Sequence, residues 1–146
     1  MLRNIGAVIV GLIVGSAWNM GLITLNTEVL FPMPAGTSMD DPEQYKAYVA
    51  TLPVAAFMMV IVAHVGQAGI GGWIAARLGK SRPMLLAGIV GLLTLLGSVV
   101  LLIALSPPAW TWVEVPLLLG TTWFVGTAET KRRAAAGSAS VPEGGS

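Results

Sequence analysis

Three long stretches of this chain contain no Lys, Arg, Asp or Glu: residues 5–25, 54–76 and 84–105. A helix rises about 1.5 Å per residue, so about 20 residues cross the roughly 30 Å hydrocarbon core of a bilayer. Lipid offers no partner for backbone N–H and C=O groups, and a helix satisfies both internally. Because the runs are continuously apolar and do not alternate, they predict membrane-spanning helices.

The composition supports lipid as the solvent of this chain. Only 10% of its residues are charged, against about 25% in a soluble domain. The absence of cysteine excludes disulfides, thiolate metal sites and cysteine nucleophiles. The net charge of +1 and the lack of a basic, aromatic-interleaved stripe predict no nucleic-acid partner.

A fourth, shorter apolar segment covers residues 112–128, and the basic residues indicate how the four are threaded. Lys and Arg concentrate in cytoplasmic loops. If four helices cross, one side receives Arg3, Arg77, Lys80, Arg82, Lys131, Arg132 and Arg133. Only Lys46 falls on the other side. The prediction is an all-α bundle of four transmembrane helices with both termini cytoplasmic.

A signal peptide cleaved near Ser16 is the alternative for the first segment. The apolar region of that segment exceeds the roughly 7–15 residues of a signal core.

The first outer loop, residues 26–53, contains a helix start signal. Asp41 followed by Pro42 and Glu43 is typical of an N-cap and a first turn. Tyr45, Tyr48, Val49 and Leu52 then recur at helical spacing. We expect a short amphipathic helix on the outer interface, with its tyrosines at headgroup level; the alternative is an irregular loop. At the other end, residues 131–146 are predicted to be a disordered cytoplasmic tail following a membrane domain of residues 1–130.

Small residues recur every four positions on the first two helices, which permits close packing in lipid. The first helix carries Ala7, Gly11 and Gly15, and Asn19 continues that row. The second carries His64, Ala68, Gly72 and Ala76, flanked by Gln67, Gly71 and Ala75. We predict that these stripes touch, with Gly11, Gly15, Ala68 and Gly72 as packing residues.

His64 is the single histidine and falls near the bilayer midplane, where ionisable residues usually face the bundle interior. With Gln67 and Asn19 it is predicted to form an intramembrane polar cluster. One interpretation is a neutral histidine that joins helices by hydrogen bonds. The other is a proton relay, a ligand contact or an axial haem ligand. Too few ligand residues are present for a metal or haem site to be expected.

Glu114 lies near the outer end of the fourth helix. Thr111-Trp-Val-Glu114 has the spacing of a capping box. The alternative is a cation or proton site at the outer interface. Nothing resembles a nucleotide-binding loop or a catalytic triad, so we predict no catalytic residues and no cofactor.

The small interior of such a chain favours a protein that works by contact with other proteins over an enzyme that works by turnover. The first hypothesis is a small accessory or interaction protein that self-associates or joins a larger membrane complex. The second is a small oligomeric transporter or channel, with His64, Gln67 and Asn19 along its path. The third is a redox or enzyme component of the membrane.

Several segments resemble a group of small bacterial four-helix membrane proteins to which no activity is attached. They are Asn19-Met-Gly-Leu-Ile23, Pro32-Met-Pro-Ala-Gly36, the segment from Ala63 to Gly72, and the tryptophan-bearing fourth helix. The resemblance covers residues 1–128. It implies the fold and a bacterial inner-membrane location, and it implies no activity.

Overall fold

A computed structural model describes residues 1–138, in which all regular secondary structure is helical and no strand occurs. Residues 139–146 of the predicted disordered tail lie outside the described residues. In chain order the elements are α1 (Leu2–Thr24) with a π-helical extension (Leu25–Leu30), α2 (Pro42–Val49), α3 (Val54–Leu78), α4 (Pro83–Leu105), a 3₁₀ turn (Ala109–Val113) and α5 (Glu114–Ser138).

Three helices in the described part of the chain are long and apolar enough to cross a membrane: Leu2–Leu30, Val54–Leu78 and Pro83–Leu105. They coincide with the three charge-free stretches. α5, which contains the predicted fourth span, falls short of this standard because Glu114 and later polar residues lower its hydropathy.

α1 and α3 are antiparallel and approach closely through glycine. A Cβ atom on Gly11 would lie 2.4 Å from the carbonyl oxygen of Gly71, and one on Gly15 would lie 2.7 Å from that of Gln67. The α1 stripe therefore packs on the row formed by Gln67, Gly71 and Ala75. Gly72 instead faces α4.

α3 lies at the centre of the bundle, with α4 and α5 packed on its other faces. Thr122 of α5 contacts the backbone at Gly91 of α4, and Met84 lies against Gly126. These contacts make α5 antiparallel to α4 and parallel to α3. Glycine again permits the approach, because a Cβ at Gly91 would overlap the Thr122 side chain.

One end of each long helix is joined to the others by polar contacts. We call this region, residues 3–4, 76–82 and 129–133, the basic end. Arg3 Nε donates to the Leu78 carbonyl at 3.0 Å, and the Asn4 side chain joins Ser81 and the Lys80 amide. Arg133 donates to the carbonyls of Ala76, Gly79 and Lys80. Arg133 thus satisfies carbonyls that the end of α3 leaves without helical partners.

Glu129 is the acidic partner at the basic end, and its side chain is 1% exposed. Arg132 binds both of its oxygens, at 2.6 and 2.7 Å, and Arg133 Nε lies 3.0 Å from Oε1. The hydrogen bonds from Arg132, then those from Arg133, lower the pKa of Glu129 from 4.5 to about 2 although burial opposes them. α5 continues through residues 131–138, which are the described part of the tail that is predicted to be disordered.

α2 forms where the helix start signal predicts it. The Asp41 side chain accepts from the Glu43 and Gln44 amides, and Pro42 occupies the first turn. Its apolar face packs on the bundle, since Tyr48 and Val49 are buried against Phe57 of α3. The Tyr48 hydroxyl donates to the Phe31 carbonyl. α2 is therefore folded back over one end of the bundle, opposite the basic end.

The glycine contact between α1 and α3 makes a direct prediction. Gly11→Ala should lower the free energy of unfolding by roughly 1–3 kcal/mol, because the added methyl group must displace the α3 backbone. Gly6→Ala is the matched control on the same helix, where a Cβ meets nothing within 4 Å. Unfolding of both purified variants in detergent gives the comparison. Equal stability of the two would contradict the packing.

The Glu129 cluster predicts a pH dependence of stability. Its pKa is lowered in the folded protein, so the carboxylate stabilises the fold fully above about pH 4.5, and this contribution is lost as pH falls through about 2. Glu129→Gln should be less stable at neutral pH and show a flatter profile between those values. Glu43→Gln, at an exposed site in α2, is the control. Parallel wild-type and Glu129→Gln profiles would refute this assignment.

Candidate functional site

His64 lies near the middle of α3 and is buried, with 8% exposure. Ten residues separate it from the start of α3 at Val54, which corresponds to about 15 Å along the helix. Its Nδ1 atom lies 2.5 Å from Oε1 of Glu114. The single histidine of the chain is thus paired with a carboxylate inside the bundle.

Glu114 is the first residue of α5 and is 2% exposed. The Ser98 hydroxyl of α4 donates to the same Oε1 that contacts His64. Ser98 precedes the end of α4 by seven residues, so the carboxylate lies roughly 10 Å below that end. The cluster of His64, Ser98 and Glu114 joins three helices at one level.

A hydrogen bond between Nδ1 of His64 and Oε1 of Glu114 requires one proton at this contact. A neutral imidazole donating to a carboxylate satisfies it, and so does an imidazolium–carboxylate pair. Burial of a lone ion in the bilayer interior is costly, and a paired partner reduces that cost. The arrangement can therefore hold a proton at a defined place in an apolar environment.

A cavity of about 210 Å³ adjoins the cluster on the side away from the basic end. We call it the outer cavity. Apolar side chains of α1, α3 and α4 form most of its wall, α2 contributes Tyr45 and Val49, and Leu52 comes from the link between α2 and α3. His64, Ser98 and Glu114 supply polar groups to that wall.

Asn26, in the π-helical extension of α1, also lines the outer cavity. It is 1% exposed, and its Nδ2 donates to the Ala56 carbonyl at 3.3 Å. Its Oδ1 has no hydrogen-bond partner. A buried amide oxygen without a partner costs about 1–3 kcal/mol, so this atom is an unsatisfied acceptor in a residue that lines the outer cavity.

A second, more open hollow runs between α1 and α4, and we call it the α1–α4 groove. It is lined by Asn19, Gln67, Thr94 and Gly97 together with His64 and Ser98. α1 and α4 meet where Val8 and Leu12 pack on Leu86 and Val90, toward the basic end. Nearer the outer cavity the two helices leave the groove between them.

The structure brings Asn19, His64 and Gln67 to one groove, although no hydrogen bond joins them within residues 1–138. The hydrogen-bond partner of His64 is Glu114, which is expected to be a capping-box residue or an outer-interface site. The structure places Glu114 next to the 3₁₀ turn and buried at 2% exposure. The Thr111 hydroxyl donates to the Pro108 carbonyl. Ala68 is fully buried, and Gly72 lies near Ala87.

Sequence reasoning missed Ser98 and Asn26 as members of the site. Ser98 reads as one of several small residues on α4, and Asn26 as the start of a loop. Charge complementarity indicates the pairing of His64 with Glu114, the ionisable residues within the apolar segments, but gives no signal for the uncharged Ser98 and Asn26.

The described part of the chain contains no group of three or more His, Asp or Glu side chains that could hold a metal ion. The ionisable members of the cluster are one imidazole and one carboxyl group. The chemistry that its geometry offers is hydrogen bonding and proton exchange.

Comparison of the chain with protein-family models gives no match. Neither the curated proteins nor the solved structures contain a match. The resemblance to small bacterial four-helix membrane proteins therefore stays a prediction.

The His64–Glu114 pair predicts a non-additive pattern of stabilities. His64→Leu should destabilise the protein by about 3–5 kcal/mol, because it leaves a buried carboxylate without its partner. The double variant His64→Leu/Glu114→Leu should be more stable than His64→Leu alone, since apolar groups replace both partners. Gln67→Leu, one turn away on the same helix, is the control. Additive losses in the double variant would show that the two side chains do not interact.

Proposed function

We propose that this protein crosses the bilayer four times, with both ends on the cytoplasmic side, and binds a small molecule in the outer half of its bundle. The observation that carries the binding proposal is the buried pair of His64 and Glu114, 2.5 Å apart, in the wall of the outer cavity. A largely apolar cavity with a few convergent polar groups is typical of a small-molecule site.

The basic end supports the four-span topology. Contacts there join the start of α1, the loop between α3 and α4, and the last turns of α5. Lys46, the exception among the basic residues, is on α2 at the opposite end. An even number of crossings with the basic end in the cytoplasm agrees with the positive-inside bias.

The energetic cost of burying the His64–Glu114 pair favours a ligand site over a purely structural role in joining helices. Well-packed apolar residues often stabilise a fold as well as a buried ion pair does, or better. Intramembrane ionisable residues accordingly mark substrate or proton sites more often than simple packing. Here the pair adjoins both the outer cavity and the α1–α4 groove, so a ligand could reach it.

The packing between the pair and the basic end favours binding over conduction. Gly71, Ala75, Ala87 and Val90 are buried there in close contact. Transport by the cluster around His64 would need a second conformation that opens this region. Action through contacts with a second copy or a larger membrane complex stays a prediction, which identification of co-purifying proteins in mild detergent tests.

The topology is tested by thiol labelling, because the natural chain has no cysteine. Single variants Ser38→Cys, Ser81→Cys and Ser138→Cys are treated in intact cells with a membrane-impermeant maleimide. We expect labelling of Ser38→Cys alone, and labelling of all three after permeabilisation. If Ser81→Cys and Ser138→Cys are labelled on opposite sides, the four-span arrangement fails.

The binding proposal is tested by thermal unfolding in lipid nanodiscs with a panel of small neutral, anionic and cationic amphiphiles. A compound that binds the folded state at a hundred times its Kd stabilises it by about 2.7 kcal/mol. We expect at least one compound to stabilise the wild type and to lose this effect in His64→Leu/Glu114→Leu. If none does, the proposed binding function is wrong.

A further inference from the structure

We propose that the ligand is an uncharged single-chain amphiphile whose head carries a hydroxyl or N–H donor and lies in the outer cavity, while its chain leaves through the α1–α4 groove. This inference rests on the proposed function and specifies its ligand class. Three features of the site carry it: an unpaired acceptor, the balance of charge, and the connection between the two hollows.

The acceptor is Oδ1 of Asn26, in a side chain that is 99% buried and lines the outer cavity. An N–H or O–H of a ligand head would satisfy it, whereas a purely apolar ligand would leave it unpaired. His64 binds Glu114 through Nδ1, so Nε2 is available as a second polar contact.

The charges of the outer cavity favour a neutral head. Its charged wall residues are His64 and Glu114, and each has the other as its partner. The arginines of the bundle lie at the basic end. A charged head would enter an apolar environment without a free counter-charge, at a cost of several kcal/mol.

The alkyl chain of the ligand is assigned to the α1–α4 groove because the outer cavity is too small for it and the two hollows are continuous. Binding sites that enclose a drug-sized ligand measure about 300–1,000 Å³, whereas the outer cavity measures about 210 Å³. It accommodates a head group but no long chain. The outer cavity and the α1–α4 groove share Asn19, His64, Ser98 and Leu101 in their walls. Exposed Leu93 and Leu96 line the groove, which suits it to an alkyl chain.

Gly97 offers a means of closing the groove. It lines the groove, and a Cβ built on it meets nothing within 4 Å. Gly88 on the same helix also has open space around it and lines neither hollow. Gly97→Trp should fill the groove without disturbing the helix contacts, and Gly88→Trp places the same side chain where no ligand is proposed.

The experiment uses three photoreactive probes with the same diazirine-bearing alkyl chain in phosphatidylcholine nanodiscs. The heads are glycerol monoester, sulfonate and trimethylammonium, so one is neutral and two are permanently charged. After irradiation, mass spectrometry measures crosslinking to peptides that line the outer cavity and the groove. We expect the neutral probe to label them most, with roughly a tenfold loss of affinity in Gly97→Trp and no loss in Gly88→Trp. Asn26→Leu should reduce the preference for the neutral head.

Each other result overturns a defined part of the proposal. Stronger labelling by a charged probe would show that the ligand class is wrong while the proposed binding function stands. Equal labelling of wild type and Gly97→Trp by the neutral probe would refute the path of the chain. Labelling of these peptides by none of the probes would refute both the ligand class and the proposed function.

Discussion

A carboxylate inside an apolar bundle needs hydrogen-bond partners nearby, and this requirement organises the half of the molecule that contains the outer cavity. The partners of Glu114 are the imidazole of His64 and the hydroxyl of Ser98, each on a different helix. The level at which α5 begins is thereby fixed against α3 and α4. The outer cavity lies beside that level, where the helices diverge and α2 closes over them.

The same principle operates at the opposite end of α5. Glu129 is enclosed by Arg132 and Arg133, and Arg133 also binds carbonyls at the end of α3. Two glutamates fifteen residues apart, about 22 Å along a helix, therefore hold α5 in register with its neighbours. Between them, glycine and threonine allow close packing. Polar contacts at the two ends and small residues between them form a consistent set of constraints.

Much of the fold could be predicted because it depends on local patterns. Length and hydropathy mark α1, α3 and α4, and the Asp41 cap with Pro42 marks α2. Charge complementarity links Glu114 to His64, but the depth of Glu114 could not be predicted, because a 3₁₀ turn decides where α5 begins and no periodicity encodes that position. The contacts of Arg133 could not be predicted for a similar reason, because its partners, the carbonyls of Ala76 and Lys80, are distant in sequence.

The polar start of α5 has a consequence for biogenesis. For a four-span protein, a segment that carries Glu114 partitions poorly into lipid by itself, since an acidic residue inside a helix opposes insertion by the translocon. His64 and Ser98 are on helices synthesised earlier, and they offer that carboxylate a partner as soon as it arrives. The last helix would then enter the membrane against a preassembled surface of α3 and α4 and not as an independent stop-transfer segment.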